Sequence, residues 1–222
     1  MTGKVYMKKF LILPKCGSRF FEEHFGDRKI LKPGSKLGSS DWIDVINKES
    51  SGCVTKLKHS KFIDEIEFIV LREPLEHMKS AIHTEFINFW NGSDKRDNTT
   101  ERDVLNYILK EDSHSHWNCH VFRELYLFTL QFKKPPTIIM LNDLNDFIKK
   151  ELKKTYSTGF TKTNYDFSWS NIYMSKDDLW NIYIKHNYPN EWEMFSKRLE
   201  GDMFFWNKLI QLCPKYHIKN TI

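Results

Sequence analysis

The first residues with chemistry in them are Leu13-Pro14-Lys15-Cys16-Gly17-Ser18-Arg19-Phe20. The apolar run Phe10 to Leu13 precedes them, and a helical pattern of roughly Ser18 to Phe25 follows. A helix start offers unpaired backbone N–H groups and the positive end of a dipole, which together hold phosphate. Gly17 lets the backbone approach a ligand, Lys15 and Arg19 add positive charge, and Ser18 adds a hydroxyl donor. The loop is no Walker A, because G-x-x-x-x-G-K-[ST] is absent. Nor is it the Cys-x5-Arg loop of cysteine phosphatases, since Glu22 stands six residues after Cys16. By itself the stretch also fits an ordinary strand–turn–helix joint.

A second constellation follows the apolar run Phe68 to Leu71: Arg72-Glu73-Pro74, then Ser80 eight residues beyond Arg72. A residue at the carboxyl end of a parallel strand stands where open α/β sheets bind ligands. A guanidinium fork and a hydroxyl so placed suit a phosphate. The plain alternative is a helix-start ion pair from Arg72 to Glu76, with Ser80 facing solvent.

Taken together, the Lys-Cys-Gly-Ser loop after one strand and strand–Arg-Glu-Pro–helix with Ser at the eighth position resemble the sulfotransferases that use 3′-phosphoadenosine 5′-phosphosulfate (PAPS). The stretch from Phe68 to Ala81, FIVLREPLEHMKSA, is most similar to the Golgi carbohydrate sulfotransferases that act on chondroitin, heparan and related glycans. His116-Trp117, the turn Asn142-Asp143-Leu144 and Asp202-Met203-Phe204-Phe205 resemble further segments of that group. His77 stands where the group often carries Lys or Arg, and Cys16-Gly17-Ser18-Arg19 departs from its commoner loop.

The resemblance implies a set of roles. Lys15, Cys16, Gly17, Ser18, Arg19 and Phe20 would hold the 5′-phosphosulfate, and Arg72 and Ser80 the 3′-phosphate of PAPS. Lys15 would also steady charge on the leaving oxygen. Histidine, with an ordinary pKa near ~6.5, is the natural base for the acceptor hydroxyl. The resemblance favours His59, with His116 as runner-up. No metal is required; His116 and His120 lie four apart, but no further ligand joins them at a known spacing. The acceptor is expected to be a hydroxyl of a carbohydrate. Two rival readings stand beside this one. They are a P-loop-like nucleotide or nucleoside kinase, and a non-enzymatic polyanion-binding module.

Those residues need elements to position them. The runs Phe10 to Leu13, Phe68 to Leu71 and Ile138 to Leu141 lack strict alternation, as strands buried on both faces do. Weaker strand candidates lie at Lys29 to Lys32 and Cys53 to Leu57. Leu75, Met78, Ile82, Phe86 and Phe89 form one helical stripe after Pro74. Val121, Phe122, Leu125, Phe128 and Phe132 form another, expected to run to Pro135-Pro136. Thr99 or Thr100 should cap a helix over Glu101 to Lys110. Ser175 to Leu212 reads as two helices broken near Tyr188-Pro189-Asn190, with Ser175 and Asp178 in a capping-box arrangement. Alternating strands and helices predict an α/β chain, a P-loop-like three-layer fold with a central parallel sheet flanked by helices. Its 222 residues are expected to form a single domain.

Composition narrows the classes. Aromatic residues are 15% of the chain, too many for a disordered tail or linker. With 34 Lys and Arg against 29 Asp and Glu, the net charge of +5 does not call for a nucleic-acid partner. Cys16, Cys53, Cys119 and Cys213 are widely spaced, which reads as thiols rather than a disulfide scaffold. No apolar stretch reaches the ~18 residues of a membrane span, and the run at Phe10 is too short for a signal peptide. The expected location is therefore cytoplasmic. Most of the tryptophans, at helical spacings, are expected in the core; Trp117 and Trp169 fall in segments that could line a cleft.

Overall fold

The computed structural model describes residues 10–12, 16, 42–44, 66–90, 99–110, 121–151 and 174–216. The expected strands at Lys29 to Lys32 and Cys53 to Leu57, and the expected helix from Ser18, lie outside these residues. The chain is mixed α/β. In order it forms β1 (Phe10–Ile12), β2 (Trp42–Asp44), β3 (Phe68–Leu71), α1 (Pro74–Trp90), α2 (Glu101–Leu109), α3 (Val121–Thr129), β4 (Thr137–Met140), α4 (Leu144–Glu151), a helix α5 over 176–187 and α6 (Pro189–Leu212). The chain divides into two compact units. The first comprises Met1–Arg72, Glu124–Thr155 and Lys208–Ile222; the second comprises Glu73–Arg123 and Tyr156–Asn207.

The first unit holds the sheet. Four strands pair in the order β2-β1-β3-β4, all parallel. Leu11, Ile12, Ile69, Val70, Ile138 and Ile139 are fully buried, which is why these runs are apolar without alternation. After β4 the chain makes a 3-10 turn, Leu141–Asp143, and continues into α4. Phe147 of α4 packs its ring 4.9 Å from Phe68 and 4.8 Å from Tyr216. The far end of the chain extends the sheet's edge: Ile138 N–H donates to Pro214 O at 2.8 Å, and Tyr216 N–H donates to Ile138 O at 2.7 Å. Lys215 thereby forms a parallel bridge with Ile138.

The second unit is helical. The stripe on α1 is buried as its spacing predicts, with Met78, Ile82, Phe86 and Phe89 all below one-tenth exposure. They pack with Leu105 and Ile108 of α2, Leu179, Trp180 and Ile184 of α5, and Phe195 of α6. Thr100 caps α2 in a full capping box: its Oγ1 accepts from Asp103 N–H at 3.2 Å, and Asp103 Oδ2 accepts from Thr100 N–H at 2.8 Å. Ser175 caps α5 through its Oγ, which accepts from Asp178 N–H at 3.1 Å. The middle of α5, Leu179–Ile184, is a π-helix between α-helical turns, Lys176–Asp178 and Lys185–Asn187.

Several expectations need adjustment. β2 is a strand of only Trp-Ile-Asp, too short to leave an apolar run for sequence reading. β4 begins at Thr137 and stops at Met140, because Leu141 already belongs to the 3-10 turn. Helix α3 ends at Thr129 and not at Pro135. There the turn tightens: Gln131 N–H donates to Phe128 O at 3.0 Å, Phe132 N–H to Thr129 O at 3.3 Å, and Thr129 Oγ1 to Tyr126 O at 2.7 Å. Phe132 still reaches the interior as part of the connection to β4. Cys16 and Cys213 are buried thiols. Burial pushes the Cys213 thiol up to about 11 despite a hydrogen bond with Thr129, so it stays protonated and inert at neutral pH.

Phe86 is fully buried at the centre of the helical core. Phe86→Ala should destabilise the protein by about 3–5 kcal/mol, read as a lowered urea midpoint, since the cavity cannot fully collapse.

Candidate functional site

The strand order decides where a ligand would be received. From β1 the chain crosses to β2 on one side; from β3 it crosses to β4 on the other. The order therefore reverses between β1 and β3. In open α/β sheets the crevice outside the carboxyl ends of two such strands is the binding position. β1 and β3 are direct neighbours, with Phe10 opposite Phe68, Leu11 opposite Ile69 and Ile12 opposite Val70. The two segments singled out from the sequence are the ones that leave these two carboxyl ends.

Of the predicted site residues, three fall among the described ones. Cys16 is fully buried four positions past the end of β1. It contributes a small side chain and no exposed thiol. Arg72 is the first residue beyond β3, half-buried. Ser80 is half-buried in the second turn of α1, and its carbonyl accepts a hydrogen bond from Thr84 Oγ1 at 3.0 Å. The expected alternative of an Arg72–Glu76 ion pair is not formed; Glu76 instead pairs with Lys79 and Lys176. Among the described residues, no carboxylate pairs with the Arg72 guanidinium and no partner holds the Ser80 hydroxyl. Lys15, Gly17, Ser18, Arg19, Phe20, His59 and His116 lie outside the described residues, as do Trp117 and Trp169.

The rest of the FIVLREPLEHMKSA stretch resolves into structural work. His77 is fully buried, its ring edge-on to Phe122 at 5.7 Å, and its backbone N–H donates to the Glu73 carbonyl at 2.8 Å. It thus takes a place in the core where the resembling group often has a basic residue. Lys79, whose side chain is 8% exposed, donates to Asp177 Oδ1 at 2.7 Å and lies 3.5 Å from Glu76 Oε1. Glu76 also receives Lys176. Sequence reading could not find this network, because Asp177 is 98 residues from Lys79 and local spacing carries no sign of the pairing.

The charges in that network hold one another. Burial alone would raise the Glu76 carboxyl, but the hydrogen bond and charge of Lys176 hold it below its ordinary value. The hydrogen bond from Lys79 holds Asp177 low in the same way. Burial would lower Lys79, and its bond to Asp177 raises it instead. The carboxylates therefore contribute stability above their ordinary range, and that stability is lost as pH falls through their depressed values. Lys79 contributes below 10.5, its ordinary value, and its share is lost only as pH rises through its elevated one.

A second polar knot lies within the helices. Glu101 accepts from Trp90 Nε1 at 3.0 Å, from Tyr183 OH at 2.7 Å and from Tyr188 OH at 2.6 Å. Burial, reinforced by Glu101, pushes the Tyr183 phenol up to about 12 and raises Tyr188 as well. Both phenols are fixed donors at neutral pH and are no candidates for a base. Trp180 stacks on Trp192 at 5.7 Å, and Trp180 and Trp206 are buried, in line with a core role. Asp202 is buried within α6, while its neighbour Phe204 is 57% exposed. Among the described residues, no group of three or more His, Cys, Asp or Glu side chains is set to hold a metal, and no helix is long and apolar enough to cross a membrane.

No family model, curated protein or solved structure matches the chain.

Asp177→Asn removes the nearest carboxylate from a buried ammonium and should cost about 1–2 kcal/mol at neutral pH. Urea denaturation at a series of pH values checks the linkage. The wild type should lose stability below about pH 4, and the variant should lose less over that interval.

Proposed function

We propose that the chain is a PAPS-dependent sulfotransferase of P-loop-like architecture, transferring a sulfuryl group to a hydroxyl of a carbohydrate. One observation carries the reading. The two segments that resemble the 5′-phosphosulfate and 3′-phosphate sites, far apart in sequence, follow the two adjacent parallel strands at which the strand order reverses. The Arg72 guanidinium at the end of β3, which pairs with no carboxylate among the described residues, adds support, because such a group suits an anionic ligand.

In this reading the acceptor oxygen attacks sulfur in line, and the S–O bond to the 5′-phosphate breaks. 3′-Phosphoadenosine 5′-phosphate departs with that oxygen, and the acceptor proton passes to His59, or to His116 if His59 is not the base. Positioning and charge stabilisation carry the rate, as in phosphoryl transfer. Lys15 takes the charge growing on the leaving oxygen. Gly17, Ser18 and Arg19 offer backbone N–H groups to the 5′-phosphate, beside Cys16 and Phe20. Arg72 and Ser80 take the 3′-phosphate, which separates this nucleotide from 5′-AMP. No resident metal is part of the scheme.

Thermal or chemical denaturation with 3′-phosphoadenosine 5′-phosphate and with 5′-AMP tests it. A ligand at ~100 times its dissociation constant should add about 2.7 kcal/mol, and only the 3′-phosphorylated nucleotide should do so at low concentration. Equal stabilisation by both, or none by either, overturns the proposal. Arg72→Ala should weaken the nucleotide about 10-fold or more, the loss of a charge-assisted pair. Lys15→Ala should abolish turnover while leaving the nucleotide bound. If His59→Ala keeps turnover and His116→Ala destroys it, His116 is the base.

A further inference from the structure

The first unit concentrates exposed lysines at the amino-terminal end of its sheet, opposite the strand ends considered above. Lys133 and Lys134 lie in the connection that leads into β4 at Thr137. Thr137 N–H donates to Glu67 O at 2.8 Å, immediately before β3, so this connection stands at the starts of both strands. Lys215 bridges to Ile138, the second residue of β4. Lys149 and Lys150 occupy the last turn of α4, just beyond Phe147, whose ring meets Phe68 at the start of β3 and Tyr216 next to Lys215. All five lysines are exposed. Among the described residues, Lys134, Lys149, Lys150 and Lys215 form no ion pair. Among the described residues, the acids in these segments are Glu67, Asp146 and Glu151, fewer than the five lysines.

The same end exposes apolar surface. Leu130, three residues before Lys133, is 54% exposed, and Leu127, one turn earlier, is 37% exposed. A soluble polyanion has no use for exposed leucine, whereas the interface of a bilayer buries it. The cations are all lysines, compact point charges suited to the diffuse field of an anionic surface and not to bidentate phosphate recognition. Among the described residues, no exposed aromatic ring at this end is offered to stack a base: Phe147 is buried and Tyr216 packs against it.

We propose that this lysine-and-leucine face docks the protein peripherally on an anionic phospholipid surface. The inference does not rest on the sulfotransferase reading and is tested without turnover. The full chain is floated with vesicles of phosphatidylcholine alone and of phosphatidylcholine enriched in phosphatidylserine, at about 0.15 M salt. It should partition onto the second and not the first. Each lysine near such a surface is worth about fivefold in partitioning, so K133Q/K134Q/K149Q/K150Q should bind several hundredfold more weakly, roughly. Leu130→Ser should weaken vesicle binding while leaving the weaker binding to soluble heparin unchanged. Unfolding curves that match the wild type show that the surface changes leave the fold intact. The proposal is overturned if the lysine variant partitions like the wild type. It is equally overturned if soluble heparin or polyuridylate binds as tightly as the vesicles and Leu130→Ser has no effect.

Discussion

The arrangement depends on the parallel pairing of β1 with β3. Three residues, Phe10 to Ile12, meet Phe68 to Val70 in register, and the chain between them must leave and return. That closure costs conformational entropy before any contact repays it. Repayment comes from burial: Leu11, Ile12, Ile69 and Val70 are shielded from water on both faces of the sheet. With β2 on one side of β1 and β4 on the far side of β3, the pairing also makes this junction the place where strand order reverses. Connectivity thus places at this junction the position where open α/β sheets receive ligands, before any particular side chain is considered.

Strands of three or four residues are short for a sheet, and they are supported from outside it. Phe147 of α4 braces the first residue of β3, and the segment around Lys215 pairs with β4. The edge strand β4 therefore does not present all its backbone groups to solvent, which blunts the usual hazard of an open edge. In the helical unit the same economy appears in polar form. Glu101 gathers an indole and two phenols, and Lys79 gathers two carboxylates. Glu101 bonds Tyr183 and Tyr188, and Lys79 bonds Asp177, across large sequence separations, so these contacts specify which helices pack together as well as stabilising them.

What was legible in the sequence follows the physics of each signal. The α1 stripe and the capping residues Thr100 and Ser175 were readable because periodicity and capping act within a few residues. The break at Tyr188 and Pro189 was readable for the same reason, since proline cannot donate a backbone hydrogen bond. The end of α3 was not, because Thr129 turns the chain through its own local hydrogen bonds well before the prolines that mark the connection. Nor was β2, whose Trp-Ile-Asp carries no pattern and exists as a strand only because β1 lies beside it. The π-helical middle of α5 likewise has no spacing that distinguishes it from an α-helix.

For the candidate site the division is equally physical. The sequence by itself determined which residue types follow β1 and β3: a Lys-Cys-Gly-Ser loop and an Arg-Glu-Pro helix start, with the capacity to receive anions. It also determined the apolar runs that become the strands. Only the tertiary structure decided that those two strands are neighbours, because parallel pairing is a long-range event with no local signature. Only the tertiary structure sent His77 into the core and tied Glu76 to Lys176 and Lys79, leaving Arg72 without a described counter-charge. A carboxylate chooses among several nearby cations by geometry and burial, and neither is written in the order of residues.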